Sequence, residues 1–223
     1  MTDGYEDLRV ALYRGFASDG RASSLDELSS STGRPVQDVS AGLRALAAER
    51  HLVLDGDDGV ILAHPFSSVP MGFSVMGRRT LWWGGCAWDA FAIPHLVPEE
   101  DEVLVATTCP ACDAPHAWVV GTQAAPHGVE VAHFLTPMAR AWDDVVRTCA
   151  NQRIFCGPAC VDVWATREAV TPGAVIDLPT LWRLAAGWYA GRLDEGYRRR
   201  EPSEAAAYFR EVGLRGAFWG LPG

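Results

Sequence analysis

Apolar residues recur with helical spacing in the first 50 residues of the chain. Leu8, Leu12 and Phe16 fall on one face of a helix, so this stretch is predicted to form a first helix. The loop that follows ends at Ser24, and Glu27 three residues later completes a capping box that predicts the start of a second helix. The first part of the chain is therefore predicted to be helical.

A third helix and a hairpin complete the N-terminal pattern. Pro35 suits the first turn of the third helix, whose apolar face includes Leu43. Residues 52–54 and 59–63 then predict two strands joined by a turn rich in Asp and Gly. Three helices followed by a hairpin predict a winged-helix-like domain over residues 1–70.

The pattern changes after this domain. Residues 66–80 are predicted to form a loop, whereas residues 81–97 are almost wholly apolar and predict a buried helix that Pro94 limits. Three strands and four helices are predicted beyond it: strands 102–108, 116–121 and 128–134, and helices 138–149, 160–169, 178–200 and 203–211. The predicted fold class is α+β, with a small mixed or antiparallel sheet core and flanking helices over residues 71–223.

Composition places the chain among ordinary globular proteins. Of its 223 residues, 48% are hydrophobic and 21% are charged, and it has no run of about 18 apolar residues that would predict a membrane helix. The N-terminus is acidic and lacks the order of basic and then apolar residues that marks a secretion signal. A cytoplasmic location is therefore predicted.

The charge of the chain argues against two kinds of partner. The formal net charge is −9, and acidic residues outnumber basic residues over residues 1–70. Contacts with nucleic acid and with anionic membranes need clustered Lys and Arg. Neither partner is expected, and a winged-helix transcription regulator is the weakest functional hypothesis.

Six cysteines give the chain its candidate chemistry. In a reduced cytoplasm such a count indicates metal binding or thiol chemistry rather than disulfides. The cysteines are Cys86, Cys109, Cys112, Cys149, Cys156 and Cys160. Cys149 is interpreted as a core or helix-surface residue without a role, which leaves five candidates.

The most unusual motif pairs a thiol with a carboxyl group. Cys86 and Asp89 lie three residues apart, which places them on the same face of a helix. The flanking residues are strongly apolar, so burial is expected to raise the pKa of Asp89 and let it hold a proton near neutral pH. Such an acid could deliver a proton to a bond that the sulfur has polarised, although a core thiol and a structural Asp remain an equal alternative.

The other cysteines suit soft metals. Cys156 and Cys160 flank a Gly-Pro turn that places two thiols close together. Cys109 and Cys112 form a CxxC turn, which commonly supplies half of a zinc site. All four together resemble a treble-clef zinc finger, and the alternative function is therefore a non-catalytic protein with a zinc-thiolate or soft-metal-thiolate site.

The order of these motifs resembles the alkylmercury (organomercurial) lyase family. The matching features are the winged-helix-like N-terminal part, the block from Trp83 to Asp89 followed by Pro94, and Phe155-Cys156 after a helix. The resemblance covers roughly residues 5–195, and the Cys-x-x-Asp block is its most specific part. It implies that residues 71–223 form a lyase-like catalytic core with C-terminal helices.

The resemblance also implies a reaction and a site. Cys86, Asp89 and Cys156 would be catalytic, and Cys86, Cys156 and Cys160 would hold mercury. A small organomercurial would be split by protonolysis into a hydrocarbon and thiolate-bound Hg(II), with no organic cofactor required. A mercuric reductase or free thiols would accept the mercury. The departures from the family are Cys112 and the wide spacing from Cys156 to Cys160. They leave open the alternative in which Cys109, Cys112, Cys156 and Cys160 bind a structural zinc.

Overall fold

The computed structural model describes residues 4–222, which form a mixed α/β fold with eight α-helices and ten β-strands. The helices are α1 Glu6–Asp19, α2 Leu25–Thr32, α3 Val36–Ala48, α4 Ala87–Leu96, α5 Val145–Ala150, α6 Pro158–Arg167, α7 Leu178–Trp188 and α8 Pro202–Glu211. The strands are β1 Val53–Leu54, β2 Val60–Ala63, β3 Phe66–Ser67, β4 Phe73–Met76, β5 Leu81–Gly84, β6 Glu102–Thr108, β7 Pro115–Gly121, β8 Val131–Phe134, β9 Gln152–Phe155 and β10 Ala174–Asp177. Short 3-10 turns lie at Met138–Arg140 and Ala217–Trp219.

Helix α2 begins and ends where its capping residues predict. The Ser24 hydroxyl accepts a hydrogen bond from the Glu27 N–H at 3.2 Å, and the Glu27 carboxylate accepts one from the Ser24 N–H at 2.7 Å. Gly33 then ends α2 with a left-handed φ of 70°, which a glycine adopts without strain. The predicted capping box is confirmed.

All sheet pairings are antiparallel. A seven-stranded sheet has the order β1-β2-β3-β5-β4-β6-β7, and a three-stranded sheet has the order β10-β8-β9. The antiparallel core with flanking helices is therefore confirmed. The larger sheet runs across residue 70, and the division into domains 1–70 and 71–223 stays a prediction.

The apolar segment 81–97 is not one helix, and that prediction is wrong. Residues 81–84 form β5, and the helix begins only at Ala87. Gly84 lets the end of β5 pass close to α4, because a Cβ at this position would lie only 2.8 Å from the Cβ of Ala90. The turn lets Cys86 cap the helix that it was expected to lie within.

Three further predictions on the C-terminal side need correction. Residues 66–80 contain β3 and β4, and helix formation over 138–149 is limited to a 3-10 turn and α5. The helix predicted over 178–200 ends at Trp188, where an irregular segment begins. Strands β9 and β10 are short and lack clear alternation, so the sequence pattern did not indicate them.

Helix α4 occupies the centre of the core. Its residues are apolar apart from Asp89 and His95, and all except His95 are buried, which is typical of a helix enclosed by other elements. The Trp88 indole N–H donates a hydrogen bond to the backbone oxygen of Leu184 in α7 at 3.1 Å. Within residues 4–222, no helix has both the length and the apolar character needed to cross a membrane.

Candidate active site

Cys86 and Asp89 lie together at the N-terminal end of α4. Cys86 is the residue before the helix, and its sulfur accepts a hydrogen bond from the Asp89 N–H at 3.4 Å. Both side chains are buried. The close pairing of thiol and carboxyl group that the three-residue spacing predicted is therefore present, although it comes from a helix cap rather than from a helix face.

Asp89 is a buried carboxyl group in which only one of the two oxygens accepts a hydrogen bond. Its Oδ1 accepts a short hydrogen bond from the Tyr189 hydroxyl, whereas Oδ2 has no hydrogen-bond partner among residues 4–222. Burial raises the pKa of Asp89 from 3.8 to about 7, against the lowering effects of Tyr189 and the Cys86 thiol. A Cβ at Gly85 would lie 2.5 Å from Oδ2, so this glycine leaves the space that the carboxyl group occupies.

The second thiol of this site is Cys149, which was expected to have no role. It lies in α5, is buried, and interacts with the Cys86 thiol. Burial raises the pKa of Cys86 well above 9. The interaction with Cys86 lowers the pKa of Cys149, but burial and the Asp89 charge outweigh it and raise that pKa overall. Both groups are therefore held as thiols in the free protein.

His64 contacts both acidic groups of the site. Its Nε2 lies 3.2 Å from the Cys149 sulfur and 4.0 Å from Oδ2 of Asp89. Burial lowers the pKa of His64 to about 3, so the ring is neutral at physiological pH. A neutral ring can accept a hydrogen bond from the Cys149 thiol.

A buried cation lies behind the acid. The guanidinium group of Arg192 stacks 4.9 Å from the ring centre of Tyr189, and it donates a hydrogen bond to the backbone oxygen of His64 at 2.6 Å. No carboxylate lies within ion-pair distance of Arg192 in the described part of the chain. Its positive charge favours the ionised form of Asp89 and lowers the pKa of that group.

These groups form one end of a cavity of about 420 Å³. This volume falls in the range of small-molecule sites. The Trp88 and Trp188 rings lie 4.8 Å apart in its wall, and Phe209 stacks on Trp188 at 5.2 Å. The cavity therefore combines an apolar aromatic wall with two thiols, a carboxyl group and an imidazole.

Cys156 does not line this cavity, although it was expected beside Cys86 and Asp89. It lies between β9 and α6, where its sulfur is 3.6 Å from that of Cys112 and 3.4 Å from Nε2 of His116. Four sulfur atoms meet there, all within 4.8 Å of one another: those of Cys109, Cys112, Cys156 and Cys160. The mercury set of Cys86, Cys156 and Cys160 is divided between the two places.

Sequence reasoning missed the groups that converge from distant elements. His64, Cys149 and the pair Tyr189 and Arg192 lie in three separate parts of the chain, and no local spacing connects any of these parts with Cys86 and Asp89. The only available signal for Cys149 was its position on a short helix that Asp144 caps, shortly before the apolar strand β9.

The fold and the cavity define the class of protein. A mixed α/β scaffold holds two buried thiols, which are ligands for soft metals, beside an acid whose pKa lies near neutrality. This combination is that of an enzyme that acts on a soft metal compound by proton transfer.

Comparison with known families gives the particular identity. The family model of MerB, described as alkylmercury lyase, matches residues 66–190, which is more than half of the chain. The chain therefore belongs to the alkylmercury lyase family and is a carbon–mercury lyase. A non-catalytic metal protein and a transcription regulator are not favoured.

Solved structures support the fold. The crystal structure described as the mercury-bound form of MerB2 superposes with a TM-score of 0.64 and 17% sequence identity. The match covers 86% of this chain and 98% of that one. No curated protein sequence matches the chain.

Proposed function

We propose that Cys86, Cys149 and Asp89 cleave the carbon–mercury bond of a small organomercurial inside the aromatic cavity. The observation that carries this assignment is the unpartnered Oδ2 of Asp89, buried next to two thiols. A carboxyl group in that position can accept a proton from a thiol and donate it to the carbon that is bonded to a mercury atom held by the two sulfurs.

The thiols act first. The Cys149 sulfur bonds to the mercury of R–Hg–X and displaces X, which leaves with the thiol proton as HX. The Cys86 sulfur then bonds to the same mercury and transfers its proton to the Asp89 carboxylate. Two electron-rich sulfurs on one mercury weaken the remaining bond to carbon, because thiolates are the ligands that soft cations prefer.

The acid completes the reaction. Asp89 donates its proton to the carbon as the carbon–mercury bond breaks, and the electron pair of that bond forms the new C–H bond. The products are the hydrocarbon R–H, Hg(II) held by two thiolates, and an Asp89 carboxylate ready for another cycle. A pKa of about 7 suits both the acceptance and the donation of this proton.

Three neighbours position the reacting groups. His64 orients the Cys149 thiol through its neutral Nε2, and Tyr189 fixes the Asp89 carboxyl group through Oδ1. Arg192 stabilises the Asp89 carboxylate when its proton is gone. These are positioning residues, since none of them is required to bond to mercury or carbon.

The organic group of the substrate fits the apolar wall. Trp88, Trp188 and Phe209 offer flat rings that bury hydrocarbon surface, and aromatic groups gain additional stability from such contacts. Aryl and larger alkyl mercurials are therefore the expected substrate class.

Mercury must leave the two thiolates before a second turnover. Free thiols or a mercuric reductase can take it by ligand exchange, and no organic cofactor is needed in this scheme. The reaction requires reduced cysteines, which fits a reducing compartment such as the cytoplasm.

The N-terminal residues act as a winged-helix-like scaffold in this proposal. The Trp82 indole N–H donates a hydrogen bond to the backbone oxygen of Phe16, and Phe16 stacks on Phe66 at 5.6 Å. Arg44 in α3, a residue that could face nucleic acid, is paired with Asp58 at 2.5 Å. These contacts support a packing role rather than nucleic acid binding.

The test is hydrocarbon release measured by gas chromatography. Wild-type protein with excess free thiol should release methane from methylmercury and benzene from phenylmercury. Asp89→Asn should lower the rate about 10²- to 10⁴-fold, the usual effect of losing a general acid. Asp162→Asn, at an exposed acid in α6, is the matched control and should retain the wild-type rate. Absence of hydrocarbon from every organomercurial would refute the proposal.

A further inference from the structure

A second cluster of cysteines lies apart from the cavity. Cys109 and Cys112 belong to the turn that joins β6 to β7, while Cys156 and Cys160 belong to the junction of β9 and α6. None of the chain's cysteines is bonded to another within the described residues. The proposed reaction uses none of these four.

The geometry of the cluster fits a tetrahedral metal. Zinc–sulfur bonds of about 2.3 Å in a tetrahedron give sulfur–sulfur edges of about 3.8 Å. The sulfurs of Cys112 and Cys156 are 3.6 Å apart, and all four lie within 4.8 Å of one another. A disulfide would need about 2.0 Å, so the arrangement is that of metal ligands rather than of bonded pairs.

The surroundings hold the sulfurs in place. Cys109 is fully buried, and its N–H donates a hydrogen bond to the backbone oxygen of Ala114 at 2.9 Å, which closes the turn. Phe155 and Trp164 pack with Cys109 in a small apolar cluster separate from the main core. The Arg167 guanidinium donates a hydrogen bond to the backbone oxygen of Pro110 at 2.7 Å and ties α6 to the same turn.

A histidine and a carboxylate complete the outer part of the cluster. Nε2 of His116 lies 3.4 Å from the Cys156 sulfur, and its Nδ1 lies 3.5 Å from Oε1 of Glu130. Hydrogen bonds from groups around a metal site orient the ligands, and a carboxylate beside an imidazole fixes the orientation of that ring. Four thiolates on one divalent cation carry a net charge of −2, which such a donor offsets.

We propose that Cys109, Cys112, Cys156 and Cys160 bind one structural Zn²⁺ that joins the β6–β7 turn to the start of α6. Four protein ligands leave no open position, as in structural rather than catalytic zinc sites. The metal also fixes the end of β9, which directly follows α5 and Cys149 along the chain. The zinc site thus stabilises the element next to the catalytic thiol without taking part in the reaction.

Metal analysis tests this inference independently of the lyase reaction. Wild-type protein produced without mercury should contain one zinc per chain. The double variant Cys112→Ser/Cys160→Ser should lose at least about nine-tenths of it, since binding of structural zinc needs its full set of ligands. Cys149→Ser, which removes a buried thiol outside the cluster, is the matched control and should keep one zinc.

A second measurement applies to the wild-type protein alone, in case the double variant fails to fold. Replacement of the metal by Co²⁺ should produce the visible absorption of a tetrahedral cobalt thiolate, and added zinc should remove it. Wild-type protein that holds no zinc and gives no such spectrum would overturn the proposal. So would a disulfide within the cluster, or a cluster that binds mercury but not zinc.

Discussion

The Tyr189 hydroxyl donates a hydrogen bond to Oδ1 of Asp89, across 100 residues of sequence. Tyr189 follows the end of α7 and Asp89 lies in the first turn of α4, so the packing of these two helices sets the position of the acid. The bond occupies one carboxyl oxygen and leaves the other directed to the thiols. It also stabilises the carboxylate and thereby opposes the effect of burial on the pKa of Asp89.

Removal of this hydrogen bond should shift the pH dependence of catalysis. In wild-type protein, kcat/KM is expected to rise with pH through about 7, because Asp89 must be ionised to accept the Cys86 proton. Tyr189→Phe removes a donor to the carboxylate, so the pKa of Asp89 rises and this limb should move to higher pH by about one unit. Steady-state rates between pH 5 and about 9 measure the shift.

Tyr208→Phe is the matched control for that experiment. The Tyr208 hydroxyl donates to the backbone oxygen of Leu184 at 2.8 Å and does not contact Asp89. Its removal should lower stability and leave the pH limb in place. An unshifted limb in Tyr189→Phe would show that the tyrosine does not set the pKa of the acid.

The same pKa makes folding stability depend on pH. Asp89 has a pKa of about 7 in the folded protein and about 3.8 when unfolded, so between these values the folded state binds more protons. Stability therefore falls as pH rises from about 4 to 7, by about 4 kcal/mol for this group. Asp89→Asn removes the group and should gain stability relative to wild type over this window.

Denaturant unfolding at a series of pH values measures this difference. The free energy of unfolding of Asp89→Asn minus that of wild type should increase up to about pH 7 and then level off. The subtraction removes the contributions of other titrating groups that the two proteins share. A difference that stays constant over this range would contradict a raised pKa for Asp89.

The absence of a side chain at Gly85 is needed for the acid to fit. A Cβ there would approach Oδ2 of Asp89 to 2.5 Å and Leu62 to 3.1 Å. Gly85→Ala should displace the carboxyl group and lower kcat about tenfold or more, because catalytic groups tolerate little misplacement. Gly56→Ala, where the added carbon meets nothing within 4 Å, should retain wild-type kcat.

The aromatic wall should control which organic groups are accepted. Trp188→Ala removes a ring that stacks on Phe209, so KM for phenylmercury should rise severalfold more than KM for methylmercury. Trp182 is the matched control, because its indole N–H donates to the backbone oxygen of Gly121 outside the cavity. Trp182→Ala should affect both substrates equally, and an equal effect of Trp188→Ala would argue against a role in specificity.

The sequence predicted the part of the site that depends on residues close together in the chain. Cys86 and Asp89 are three residues apart, so any turn or helix brings them together, and their apolar neighbours indicated burial. The capping box at Ser24 and the antiparallel core follow from equally local patterns. Each of these features depends on a few neighbouring residues, so it can be predicted without knowledge of the tertiary fold.

The parts of the site that the sequence did not predict are formed by residues that are distant in the chain and meet only in the folded protein. The resemblance of Phe155-Cys156 to a family motif assigned the catalytic role to Cys156, whereas Cys149 stands alone in its helix and belongs to no motif. Only the packing of α5 against the start of α4 brings Cys149 to Cys86. The glycines at 84 and 85 were not recognised as a break, because they lie within a long apolar run. In the structure they mark the passage from β5 to α4.

The most direct test of the account compares the two candidate thiols in a single turnover with phenylmercury. Cys149→Ser should lower benzene release at least about 10³-fold, because the second thiolate that activates the carbon–mercury bond is gone. Cys156→Ser should lower the rate per folded molecule less than about tenfold, through loss of structural support alone. Loss of benzene release in Cys156→Ser together with near wild-type release in Cys149→Ser would contradict the account.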